Sequence, residues 1–117
     1  MIALDKPGFV SGYVSFHNST DLSAWQSVRL PIYCLNGRPG PTTLVMGGLH
    51  GDEYEGPVAI ESLANTLDTD ELVGRLILLP AVNVTAVMAG TRLTPDDGLN
   101  MNRVFPGNPN GSITQRI

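Results

Sequence analysis

The sequence is poor in basic groups, thiols and imidazoles, and these shortages limit what it can be. Its 117 residues carry 7 Lys and Arg against 11 Asp and Glu, a formal charge of −4. The basic residues form no cluster, so a nucleic-acid groove is excluded. Cys34 is the single cysteine, which rules out an internal disulfide and points to a reducing, cytoplasmic setting. Its position inside the apolar stretch "VRLPIYCL" favours a buried structural thiol over a reactive one. No apolar run approaches the roughly 18 residues a bilayer span needs, so no membrane partner is expected. The N-terminus lacks the basic segment and apolar h-region of a signal peptide. Histidine occurs twice, at His17 and His50, and no glutamate follows Glu71.

What is present suits one globular domain: 42% of residues are hydrophobic and 15% charged. Phe9 to Phe16 mixes β-branched, aromatic and small residues and reads as a strand. Val28 to Leu35 alternates as a second strand, with Pro31 demanding an edge position or a bulge. "NGRPGP", Asn36 to Pro41, is a dense turn cluster. Thr42 to Met46 is expected to be a strand buried on both faces. Glu55 to Leu67 has apolar residues near helical spacing at Val58, Ile60, Leu63, Ala64 and Leu67, with Pro57 suited to the first turn. "LILL", Leu76 to Leu79, is a further apolar strand stopped by Pro80. Asn83 to Ala89 predicts a short helix with Asn83 as its cap. Gly90 to Gly111 is rich in glycine, proline and asparagine without periodicity, and Ser112 is placed to cap a last helix. The order strand–helix–strand from Thr42 to Leu79 predicts a parallel pair in an α/β sheet. Sites in such sheets lie at the carboxyl ends of the strands, and a long structureless segment inside a compact domain tends to be functional.

Two stretches carry the candidate chemistry. In "GGLHGDEYEGP", His50 and Glu53 are separated by two residues in a glycine-rich bend after a strand. Imidazole nitrogen and carboxylate oxygen both suit zinc at about 2.0–2.2 Å. Gly47, Gly48 and Gly51 would allow the tight backbone this convergence needs. The plainer alternative makes His50 a loop residue and Asp52, Glu53 and Glu55 first-turn acids favoured by the helix dipole. In "GTRLTPDDGLNMNRVFPG", Arg92 and Arg103 stand near Asn100 and Asn102, a set able to hold carboxylates and carbonyls. The alternative is a solvated loop whose arginines pair with Asp96 and Asp97. Taken together, a Lewis acid and carboxylate clamps describe hydrolysis of an amide on a small acidic or zwitterionic substrate.

The two motifs as a pair resemble the succinylglutamate desuccinylase/aspartoacylase family, zinc-dependent amidohydrolases related to zinc carboxypeptidases. The "DGLNMNRVFPG" form most resembles the N-acetyl-diaminobutyrate deacetylase branch. The resemblance implies an α/β fold, a zinc-carboxypeptidase-like mixed sheet with flanking helices, truncated. The strand and turn signals make residues 1–41 the N-terminal strands and turn, and the resemblance, which covers the chain from Thr42 onward, implies residues 42–117 as the first part of the catalytic domain. It implies His50 and Glu53 as zinc ligands, Arg92 as the group that polarises the scissile carbonyl, and Asn102 and Arg103 as holders of the substrate carboxylate. The implied substrate is a small N-acyl amino acid, and the implied cofactor is Zn2+.

The family's third ligand, a histidine, and its general base, a glutamate, lie downstream of the Asn-Arg motif, where this sequence has neither. His17 precedes the whole strand–helix–strand unit and is a poor substitute. The expectation is therefore the N-terminal portion of a longer enzyme, inactive alone, with unpaired sheet edges that promote homo-oligomers or aggregation. The competing functions are a metallocarboxypeptidase acting on a peptide terminus and a non-catalytic binding module that keeps the fold.

Overall fold

A computed structural model describes residues 3–117. Strands β1 (Gly8–His17), β2 (Ser27–Asn36), β3 (Arg38–Met46) and β4 (Val73–Leu79) form one sheet in the order β1-β2-β4-β3. β1 and β2 are an antiparallel hairpin running from Gly8 opposite Asn36 to His17 opposite Ser27. β2 also pairs antiparallel with β4, whereas β3 pairs parallel with β4, so the sheet is mixed. Helix α1 (Glu55–Thr66) makes the crossover from β3 to β4. Helix α2 (Val84–Ala89), a 3-10 turn (Met101–Arg103) and helix α3 (Ile113–Arg116) follow.

Alternation along β2 feeds two cores. Leu35 faces α1 and packs with Leu78, Ile60 and Ala64. Val28 and Leu30 face the opposite side and pack with Val82, Met101 and Ile113. The α1 stripe is narrower than its spacing suggested: Ile60 and Ala64 are buried, but Val58 is 65% exposed. Cys34 is fully buried, as expected, with its thiol near the Leu4 carbonyl.

Three local expectations are corrected. The "NGRPGP" cluster is not a turn of its own length, because β2 runs to Asn36 and β3 begins at Arg38. Gly37 alone lies between the strands, and the proline-rich part is extended backbone with a register shift between Arg38 and Thr42. β3 is not buried on both faces: Leu44 is 53% and Met46 42% exposed, because β3 is one of the two outer strands and, among the described residues, pairs on the β4 side only. β2 is an interior strand despite Pro31, but its pairing with β4 covers only Tyr33 to Asn36. At Pro31 the strand therefore has β1 on one side, the local edge that a missing N–H requires.

Candidate active site

The turns leaving β3 and β4 are bonded to each other. Gly47 donates to Leu79 O at 2.9 Å, and Val82 and Asn83 donate to the carbonyls of Gly47 and Gly48, each at 3.0 Å. Of the three glycines around His50, only Gly48 has a left-handed backbone, at φ +66°. Gly51 is needed for closeness: an added Cβ would collide with the Ala86 carbonyl of α2, while its N–H donates to Thr91 O at 2.8 Å. The bend is thus pressed onto α2 and onto the start of the following loop, and His50 is carried inward until it is 6% exposed.

Both ring nitrogens of His50 meet oxygens. Nε2 lies 3.0 Å from Asn100 Oδ1, and Nδ1 lies 3.2 Å from Glu53 Oε1. Asn100 Oδ1 also accepts the Asn102 N–H at 3.0 Å, which fixes it as the oxygen of the amide. Nε2 must then carry a proton and donate to Asn100. The Nδ1 lone pair of a neutral ring would face a carboxylate, so the gap between Nδ1 and Oε1 calls for a proton or a cation. Glu53 also accepts from Arg92 at 2.8 Å. The Arg92 bond, then the His50 bond, holds its carboxyl below the usual carboxylate range.

The structure brings His50, Glu53 and Arg92 together and adds Asn100 through its bond to Nε2. Arg92 is near Asp52 as well, at 4.0 Å, and pairs with neither Asp96 nor Asp97. Asp96 instead accepts from Asn18 at 2.8 Å, and Asp97 binds the Thr114 hydroxyl at 2.6 Å and its N–H at 3.0 Å. Asn102 and Arg103 lie in the 3-10 turn with exposed side chains, and Arg103 forms no ion pair among the described residues. His17 ends β1 with its carbonyl bonded to Arg116, apart from the group around His50. A cavity of about 290 Å³ is lined by Met46, Leu79, Met101, Phe105 and Ile117, among others, and does not contain His50 or Glu53.

Asn83 departs from its expected role. It precedes α2, but its side chain does not cap the helix; it donates instead to Leu49 O at 3.2 Å and Thr94 Oγ1 at 2.9 Å. Asn100 was visible as a polar loop residue, and the signal for its task is the second ring nitrogen of His50, which needs an acceptor once the first is committed.

The donor set can be tested against a bound ion. Two ligands of a tetrahedral zinc at ~2.0–2.2 Å are separated by about 3.3–3.6 Å, close to the observed Nδ1–Oε1 distance of 3.2 Å. The pair fits two ligand positions. Among the described residues no group of three or more His, Cys, Asp and Glu side chains is clustered for a metal, so the pair is not a full set.

Comparison with known proteins gives consistent results. Residues 39–116 match the model of the succinylglutamate desuccinylase/aspartoacylase catalytic domain. The chain is 41% identical over 116 residues to the N-alpha-acetyl-L-2,4-diaminobutyric acid deacetylase of Halomonas elongata, covering 99% of this chain and 34% of that protein. A crystal structure of succinylglutamate desuccinylase/aspartoacylase from Rhodobacter sphaeroides superposes with a TM-score of 0.92 at 46% identity, over 98% of this chain and 36% of that one. The product-bound structure of the ectoine utilization protein EutE (DoeB) from Ruegeria pomeroyi also gives 0.92 at 46% identity, over 98% and 35%. The chain thus spans about a third of the length of these relatives.

Proposed function

The chain belongs to the succinylglutamate desuccinylase/aspartoacylase catalytic-domain family, and from that premise we propose that it carries the first part of a zinc-dependent deacylase site for a small N-acyl amino acid. The observation that supports this most is the 3.2 Å approach of His50 Nδ1 to Glu53 Oε1, with the far ring nitrogen already occupied by Asn100. His50 through Nδ1 and Glu53 through Oε1 would hold the ion, and residues 42–117 would be the opening portion of the catalytic domain. When bound, zinc supplies a Lewis acid and an acidified water at neutral pH.

The remaining roles belong to this chain's side chains. Asn100 fixes the His50 ring and its tautomer, which leaves Nδ1 as the nitrogen that would ligate. Arg92 orients the Glu53 carboxylate from 2.8 Å and, with substrate present, polarises the scissile carbonyl. Arg103 and Asn102 bind the amino-acid carboxylate, a role for which a solvent-facing guanidinium without an ion-pair partner among the described residues is suited. The relative from Halomonas elongata is named for an N-acetylated diamino acid, which supports an N-acyl amino acid over a peptide terminus. With a buried thiol as its only cysteine, the reading includes a cytoplasmic setting. The open outer strand, with Leu44 and Met46 exposed, supports self-association of the chain.

A cobalt(II) titration of the 117-residue chain tests the metal reading. Weak, saturable binding that disappears in His50→Ala and Glu53→Gln is expected, since a catalytic zinc usually has about three protein ligands. Binding indifferent to both substitutions overturns it. The chain alone is expected not to hydrolyse N-acetyl amino acids, and turnover abolished by Glu53→Ala would contradict that part.

A further inference from the structure

The two halves of the candidate site reach it from different directions: His50 and Glu53 on the bend after β3, Arg92 and Asn100 on the loop after α2. Between them lies Asn83, fully buried, beside Thr94, also fully buried. The Asn83 amide nitrogen donates both to the carbonyl of Leu49, the residue before His50, and to the hydroxyl of Thr94, within the Arg92–Asn100 loop. The Leu49 carbonyl can only accept, so the amide orientation is determined. Thr94 in turn closes its own loop: its N–H donates to Leu99 O at 2.9 Å and its carbonyl accepts from Gly98 at 2.8 Å. Asn100 leaves directly from that closed loop and meets His50 Nε2.

The amide is not spent on capping α2. Its oxygen, moreover, is buried with no hydrogen-bond partner among the described residues, a desolvation cost that an apolar residue of the same size would avoid. A side chain kept at that cost has to be kept for its donors, which meet the carbonyl of Leu49, next to His50, and the hydroxyl of Thr94, two residues after Arg92. Resting on the deacylase reading above, we propose that Asn83, acting with Thr94, is the positioning residue that sets the His50 bend against the Arg92–Asn100 loop. It touches neither substrate nor ion and works through Leu49 and Thr94.

Three substitutions in the chain separate this role from simple packing. Asn83→Asp keeps the volume and removes both donors, Thr94→Val removes the acceptor, and Thr94→Ser retains it. The primary readout is the nitrogen-15 NMR signal of the His50 ring, with the Asn102 amide as a second reporter on Asn100. A protected Nε2–H is expected in the parent and in Thr94→Ser, and its loss is expected in Asn83→Asp and Thr94→Val while circular dichroism stays that of the folded chain. Cobalt(II) affinity should fall about tenfold or more in the same two variants and return to within about threefold of the parent in Thr94→Ser. An unchanged His50 ring signal in folded Asn83→Asp and Thr94→Val overturns the proposal. If the parent itself binds no cobalt, the metal reading fails and the ring signal still decides the positioning role. If both variants fail to fold, hydrogen exchange in the parent decides: protection of the Gly51 and Thr94 amides within about tenfold of each other supports one coupled unit, and a larger difference overturns it.

Discussion

The sheet face under α1 and the loop region from Gly90 to Arg116 are ordered by different forces. Under α1, Leu35, Ile60, Ala64 and Leu78 form an apolar cluster that needs only shape and volume. The loop region is pinned by two buried apolar residues, Met101 and Ile113. Elsewhere it hangs on long-range polar bonds: Asn18 to Asp96, Asn83 to Thr94, His50 to Asn100 and Thr114 to Asp97. Apolar contacts are non-directional and accommodate small shifts, whereas a bonded loop holds its polar atoms at fixed distances and angles. A catalytic site needs the second kind of order, and Arg92, Asn100, Asn102 and Arg103 lie where it dominates, with His50 bonded to it through Asn100.

The largest expected effect tests the apolar side. Leu78→Ala, at a fully buried position, should destabilise the chain by about 2–5 kcal/mol in urea unfolding. A loss well under ~1 kcal/mol would mean that the cluster is not the main support. Asp97→Ala should cost about 1–3 kcal/mol, because it strips the Thr114 hydroxyl and N–H of their acceptor. That loss should be local: hydrogen exchange of the Thr114 amide should accelerate while amides of β4 keep their protection. Equal loss in β4 would show one cooperative unit and dissolve the distinction between the two regions.

A smaller effect follows from pH. Burial pushes the Asp97 carboxyl up, but bonds from Ser112, from the side chain and N–H of Thr114, and from the Leu99 N–H together outweigh it and hold the group below its ordinary value of 3.8. A carboxyl depressed by folding contributes stability that is complete above the unfolded pKa and lost as pH falls through the folded one. The loop region should therefore loosen below about pH 4, and Asp97→Asn should remove that part of the acid slope. A slope unchanged in Asp97→Asn would assign acid sensitivity elsewhere.

The same division decides how much was legible in the sequence. Where order is apolar and periodic, sequence and structure agree: the strands at Val28–Leu35 and Leu76–Leu79 and the helix from Glu55 all form where expected. They diverge where tertiary position overrides pattern. Thr42 to Met46 looks fully buried because it lacks a polar face, yet it is an outer strand. Asn83 looks like a cap because it precedes a helix, yet its amide serves two other segments. His50, Glu53 and Arg92 were legible as candidate residues, and the structure brings those three together. Their partners were not, since bonds spanning 50 residues, as from His50 to Asn100, leave no local trace in the sequence.

The smallest predicted effect sharpens the comparison from the apolar side. Tyr33 packs at the edge of the α1 cluster and donates its hydroxyl to Glu61 of α1 at 2.7 Å. That bond, followed by burial, pushes the phenol up to about 12, so it stays protonated and donating across the range in which the chain would be studied. Tyr33→Phe keeps the ring and removes only the bond, so the cost should be about 0.5–1.5 kcal/mol at pH 7. Glu61 is partly exposed and can turn to water, which favours the lower end of that range. If sheet and helix are held by apolar area, a urea titration will show a small shift in midpoint with no change in slope. A loss as large as that from Leu78→Ala would mean that one directional bond seats α1 on the sheet, and the two regions would then be ordered by the same force.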